Sequence, residues 1–293
     1  MISIDQTRLV ELIVLAKSED LGSGDITTAL LENPTRAASF ELTAKARGVF
    51  AGKQVAATIV TTYDPAIELV WAKDVADGLG LESPRTCLAT LRGPLGSILA
   101  AERVLLNFLQ RLSGIATLTR TFVDAVRGTN AAIYDTRKTT PGWRDLEKYA
   151  VRCGGGVNHR FGLHDAVLIK DNHLAGVPTD RLAATVFGML NRVDYTKAPK
   201  EIEIEAQSVG QVEQILKVVG VDVILLDNFD ANGLRKAVEL RDRLCLKERV
   251  NLEASGGVNL HTVREIAETG VDRISVGALT HSAPALDIAL DRI

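Results

Sequence analysis

Apolar residues near the start of the chain recur at helical spacing: Leu9, Leu12, Ile13 and Ala16 predict an amphipathic helix over 5–18. A glycine- and acid-rich loop, EDLGSGDITT, follows and ends in a helix-start signal. From Ser39 to Ala46 the pattern alternates, with Phe40, Leu42, Ala44 and Ala46 on one face and Ser39, Glu41, Thr43 and Lys45 on the other. That is a strand covered on one side only. Strands are also predicted at 67–71 and 86–91, and the pattern turns helical from Ser97 to Leu112. Gly114, followed by a further helix to about Val126, reads as a hinge between domains.

After residue 130 short apolar strands alternate with amphipathic helices. The strands are Ala131–Tyr134, Ala166–Ile169, Glu201–Glu205, Val221–Leu226, Val250–Glu253 and Arg273–Val276. Ser208 and Gln211 form a capping box for a helix with a Val212, Ile215, Leu216, Val219 stripe that stops at Gly220. Residues 230–243 read as a second helix. Asn259 caps a third, striped by Leu260, Val263, Ile266 and Ala267 and stopped by Gly270. Such alternation implies a parallel sheet, and its repetition favours a β/α barrel over a doubly wound sheet. The absence of GxGxxG after an early strand points the same way.

Composition narrows the class. The 293 residues carry 34 Lys+Arg against 37 Asp+Glu, and 46% are hydrophobic, a mix for a folded α/β protein and not a disordered chain. A net charge of -3 and 4% aromatic content argue against a nucleic-acid partner. Cys87, Cys153 and Cys245 are odd in number and dispersed, so a disulfide framework is not expected and a reducing, cytoplasmic setting is. The first residues lack the basic start and cleavage site of a signal peptide, and no apolar run approaches the roughly 20 residues that span a bilayer, so no membrane partner is expected.

In β/α barrels the reactive groups sit at the C-terminal strand ends. Those ends carry DTRKTTPG (135–142), KDNH (170–173), Glu203 and Glu205, LLDN (225–228), EASGG (253–257) and SVGA (275–278). In EIEIEA the three glutamates share one parity and the isoleucines the other; if the isoleucines face the outer helices, Glu201, Glu203 and Glu205 point inward. The plainer alternative is a solvated edge strand with salt bridges. Glu205 and Asp227, ending neighbouring strands, suit a Mg²⁺ that keeps waters and binds substrate phosphates. Arg137, Lys138, His159, Arg160, Lys170 and Arg103 form a basic set that, gathered at one mouth, would require a highly anionic ligand. Taken singly, each is an ordinary surface cation. Lys170 also admits a Schiff-base lyase or aldolase reading. His159, His164 and His173 have no compact metal-ligand spacing, and His164 and His173 read as structural. Ser255, Gly256, Gly257 and Gly277 sit where barrels bind phosphate, with His281 as a further contact or a helix cap; ordinary turns are the alternative.

The strings EDLGSGDITT (19–28), ARGVFAG (46–52), ERVLLNFLQRLSGIAT (102–117), DTRKTTPG, EKYAVRCGGGVNHRFGLHDAVLIKDNH (147–173), ILLDN (224–228), LEASGG (252–257) and ISVGALTHS (274–282) resemble the quinolinate phosphoribosyltransferase family nearly end to end. The resemblance implies an α/β protein with an incomplete, seven-stranded β/α barrel over 116–279. An N-terminal open α/β sandwich over 1–115 would be joined by 280–293. It implies a homodimer in which one subunit's small domain covers the other's barrel mouth. The reaction implied joins quinolinate to phosphoribosyl pyrophosphate with loss of CO₂, on the way to NAD. Matching motifs then give Arg137, His159, Arg160 and Lys170 the quinolinate carboxylates, with Arg103 reaching in from the partner subunit. Lys138, Glu205 and Asp227 would serve the phosphoribosyl side, the acids through Mg²⁺, and Ser255, Gly256, Gly257, Gly277 and His281 the 5′-phosphate. A phosphometabolite-binding protein without catalysis is the non-enzymatic rival. Ala206-Gln207 after Glu205 departs from the Val-Glu more usual in the family and removes a nearby carboxylate. The segment 78–86 also departs from the glycine turn usual there.

Overall fold

Asp5 caps the first helix by accepting the backbone N–H groups of Thr7 and Arg8, so helix α1 runs Gln6–Leu21, three residues further than the periodicity predicts. The computed structural model describes residues 4–194, 196 and 199–293. Strand β1 (Ala37–Ala44) leads into β2 (Gly48–Val49), helix α2 (Lys53–Tyr63), β3 (Glu68–Trp71), β4 (Gly80–Leu81) and β5 (Thr86–Pro94). The alternation in β1 holds for Phe40, Leu42 and Ala44, which are buried. Thr43 is buried too, because the pairing with β5 slips between Leu42 and Thr43.

Helix α3 spans Leu95–Ala125 without a break, so Gly114 is not a hinge. A Cβ at Gly114 would lie 2.0 Å from the carbonyl oxygen of Pro284, so glycine is required by close backbone approach.

The barrel part begins with β6 (Ala132–Tyr134), continues after helix α4 (Arg144–Cys153) with β7 (Val167–Ile169), and then alternates. Helix α5 (Leu182–Leu190) precedes β8 (Ile202–Ala206), followed by α6 (Val209–Ile215), β9 (Val223–Asp227), α7 (Ala231–Arg243), β10 (Asn251–Ser255), α8 (Val263–Ala267), β11 (Arg273–Ser275) and α9 (Ala278–His281). Helices α6 and α8 are shorter than predicted. Ser208 caps α6, but the Gln211 side chain accepts from Gln207 N–H instead of closing the box, and Val219 is exposed beyond the helix. Asn259 caps a turn ahead of α8, leaving Leu260 exposed.

The parallel sheet has the order β6-β11-β10-β9-β8-β7. The expected seventh strand is reduced, among the described residues, to Val157, which bridges Tyr134 of β6 in parallel. Strand β12 (Ile288–Arg292) pairs antiparallel with β1, giving a separate sheet ordered β12-β1-β5-β3. The chain forms two compact units: residues 1–120, 139–155 and 279–293, and residues 121–138 and 156–278. Residues 139–155, expected within the barrel, therefore belong to the first unit. The three cysteines are free.

Candidate active site

Parallel strands deliver their C-terminal ends to one rim, and alternation decides which side chains turn inward. In β8 the isoleucines and the glutamates are both buried, and β8 lies between β7 and β9, so it is no solvated edge. The strand ends enclose a cavity of about 200 Å³, open to solvent, within the second unit. Arg137, Lys138, Arg160 and Lys170 line it on the basic side, and Glu205, Asp227 and Glu253 on the acidic side. His159, Thr136, Ser255 and Ser275 complete its polar wall. The predicted barrel cations and both predicted acids thus share one cavity. Gly256 and Gly257 continue directly from Ser255, and Gly277 follows β11 by two residues. Arg103, exposed on α3, and His281, exposed at the end of α9 with Nδ1 2.7 Å from the Ser282 hydroxyl, belong to the first unit.

Below the rim, charged side chains fill the barrel in layers. Lowest, Arg273 pairs with Glu201 at 2.8 Å and lies over the Tyr134 ring. Above it, His159 Nε2 donates to Glu203 at 2.9 Å and lies 3.5 Å from Glu253. At the rim, Lys170 pairs with Glu205 at 3.5 Å, one strand from Asp227. Burial, reinforced by the charge of Glu253, holds the Glu203 carboxyl well above the usual carboxylate range. For His159, burial opposes protonation, but Glu203 and Glu253 outweigh it and lift the imidazole to about 10. Its Nδ1 accepts the Arg160 backbone N–H at 2.8 Å, so in this geometry the ring carries its proton on Nε2, and a second proton would have to displace that bond.

On the basic side Arg160 is 6% exposed. Burial and the neighbouring charge of Arg137 both push its guanidinium below the ordinary arginine value. Its one bond to protein is long, 3.4 Å from Nη1 to the Ala166 carbonyl. Two guanidinium groups lining one cavity suit an anion of more than one charge.

On the acidic side the Glu205 carboxyl is pushed up by burial and by Asp227, with Lys170 acting against both. Two hard oxygen donors whose like charges resist each other fit a hydrated divalent cation. Among the described residues, the grouping of three ligating side chains within 4.8 Å is instead His159, Glu203 and Glu253, where the Nε2 proton already occupies the centre.

The SGG turn is tight: Gly256 has φ +98°, and a Cβ there would meet Asn228 Oδ1 at 2.1 Å. Asn228 returns a backbone N–H to the Ser255 carbonyl at 2.8 Å. Lys170 is half-exposed and paired with a carboxylate, unlike the desolvated amine that Schiff-base chemistry needs. His173 accepts the Lys170 backbone N–H at Nδ1 and His164 packs edge-on to Phe161, both structural tasks. Sequence reasoning gave no role to Glu253, Ser275, Asp135 or Asp165. Glu253 shares strand parity with Ser255, and that signal was available; the two aspartates act in irregular segments without periodicity.

Two family models, described as quinolinate phosphoribosyl transferase N-terminal and C-terminal domains, match residues 25–113 and 115–291. The chain is 42% identical over 277 residues to the carboxylating nicotinate-nucleotide pyrophosphorylase of Mycobacterium leprae, covering 94% of each. It is 39% identical over 299 residues to the decarboxylating quinolinate phosphoribosyltransferase 1b of Nicotiana tabacum, covering 95% of this chain and 80% of that one. Among solved structures, the nicotinate-nucleotide pyrophosphorylase from Francisella tularensis superposes with a TM-score of 0.88 at 33% identity, covering 99% of this chain and 98% of that chain. That from Ehrlichia chaffeensis gives 0.85 at 38% identity, covering 99% and 100%.

Proposed function

The chain belongs to the quinolinate phosphoribosyl transferase family, and we propose that the cavity at its parallel strand ends is where its two anionic substrates meet. It is a phosphoribosyltransferase of NAD biosynthesis: quinolinate and phosphoribosyl pyrophosphate become nicotinate mononucleotide, pyrophosphate and CO₂. The observation that carries the placement is that Arg137 and Arg160 line one cavity, where burial and the charge of Arg137 push the Arg160 guanidinium below its ordinary value. A pyridine bearing two carboxylates matches that pair of cations. His159 and Lys170 border the same space on this side.

On the other side Lys138, Glu205 and Asp227 attend the sugar phosphate. As the C1′–O bond to pyrophosphate breaks, C1′ gains positive charge, which Glu205 and Asp227 stabilise, while Lys138 neutralises the departing oxygens. Glu205 and Asp227 would hold Mg²⁺, which when bound offsets pyrophosphate charge. The pyridine nitrogen bonds to C1′, and the ring becomes cationic. The C2–carboxylate bond then breaks, CO₂ leaves, and the electron pair stays on C2 beside the positive nitrogen until a proton replaces it. Ser255 and the following glycines offer a backbone cradle to the 5′-phosphate, with Gly277 on the neighbouring strand end; His281 is assigned there by its motif alone. Arg103 is assigned to quinolinate as a contribution from a second copy, which makes the working unit a homodimer. Among the described residues no helix is long and apolar enough to cross a membrane.

The test is direct. Purified protein with carboxyl-labelled quinolinate, phosphoribosyl pyrophosphate and Mg²⁺ should release labelled CO₂ and nicotinate mononucleotide in equal amounts. Binding of both ligands without CO₂ release would contradict the assignment and leave a binding protein.

A further inference from the structure

Arg160 stands in a stretch with no regular secondary structure, from Val157 to Asp165. An irregular buried segment must find partners for its backbone N–H groups elsewhere. Here four in succession are satisfied by side chains. His159 N–H donates to Asp135 Oδ1 at 2.9 Å, and Arg160 N–H to His159 Nδ1 at 2.8 Å. Phe161 N–H donates to Asp165 Oδ2 at 2.6 Å, and Gly162 N–H to Asp165 Oδ1 at 2.8 Å. Asp135 is fully buried and its second oxygen accepts Asn158 Nδ2 at 2.6 Å. For Asp165, burial would raise the carboxyl, but the N–H groups of Phe161 and Gly162 outweigh it and hold the group below its usual range.

We infer that Asp135 and Asp165 are positioning residues for Arg160, gripping the backbone on either side of it so that its guanidinium faces the cavity. The inference rests on the quinolinate-binding reading of that cavity. Neither aspartate lines the cavity, and Arg160 itself has only one long side-chain bond to protein, so its backbone carries the placement. Strand β6 is also paired with β11 over Ala132–Tyr134, so its own place in the sheet does not depend on the segment 157–162 alone.

The two aspartates differ in a way that makes a test. Both oxygens of Asp165 face N–H donors, so Asp165→Asn sets an amide NH₂ against a donor whichever way it turns. One oxygen of Asp135 accepts from the amide of Asn158, so D135N combined with N158D keeps that hydrogen bond with donor and acceptor reversed. Steady-state kinetics on the full chain, with melting temperature and near-UV circular dichroism confirming the fold, should show D165N raising the quinolinate KM about 100-fold, as a displacement near 1 Å does. The phosphoribosyl pyrophosphate KM should stay close to wild type. D135A and D135N should raise the quinolinate KM similarly, and D135N/N158D should lower it again. Should D165N fail to fold, D135A against D135N/N158D decides by the same readout. A parallel rise in both KM values, or no rise in D135A, would each overturn the inference. Wild-type protein that forms no nicotinate mononucleotide would instead sink the functional reading on which it rests.

Discussion

Buried charge is treated in opposite ways in the two units. In the first, Glu147 is fully buried and saturated: it accepts from Arg111 Nη2 at 2.7 Å, Thr140 N–H at 3.1 Å and Thr140 Oγ1 at 2.9 Å. In the second, Glu253 is equally buried, yet neither of its oxygens has a hydrogen bond, and the basic group beside it is His159 at 3.5 Å. Arginines repeat the contrast within the second unit. Arg241, fully buried away from the mouth, is locked by Asp272 and Asp242, whereas Arg160 has a single 3.4 Å bond. Glu147 and Arg241 are each tied into close ion pairs, although Arg241 Nη2 has no hydrogen bond. Glu253 and Arg160 at the mouth have no such close ion pair, which costs stability and is retained where a ligand supplies the remainder.

Mutating each class should separate activity from stability. The largest effect is expected for Arg160→Ala, which should lower kcat/KM for quinolinate on the order of 10³-fold, the scale of truncating a buried charge partner. Its melting temperature should not fall. Glu147→Ala should do the reverse, removing about 3–5 kcal/mol of stability in urea unfolding by stranding Arg111. Gly114→Ala should destabilise by about 1–3 kcal/mol through overpacking against Pro284. A hinge at this position would instead alter kcat at unchanged stability. The smallest change in stability belongs to Glu253→Gln. Removing the charge of a buried carboxylate that accepts no hydrogen bond should leave the urea midpoint unchanged or raised, and a marked loss of stability would place Glu253 with Glu147 as part of the frame.

Much of this division was legible in the sequence. Parity put Glu203 and Glu205 on one face of their strand, and the burial of both faces then leaves that face the barrel interior. The strand-end rule gathered Arg137, Lys138, Lys170, Asp227 and Ser255 before any coordinates. What stayed hidden depends on contacts distant in sequence. Gly114 looks like a hinge until Pro284 is seen against it. Residues 139–155 follow a barrel strand, yet Glu147 ties them to Arg111 of α3. The aspartates that grip the Arg160 segment act on backbone N–H groups, which leave no mark in a pattern of side chains.

The central claim is that Arg137 and Arg160 form the quinolinate side of a cavity whose opposite wall serves the sugar phosphate. The most direct test is the pair of substrate KM values for Arg137→Ala in the presence of Mg²⁺. The account predicts a quinolinate KM raised far more than that for phosphoribosyl pyrophosphate. Equal rises in the two values would contradict it.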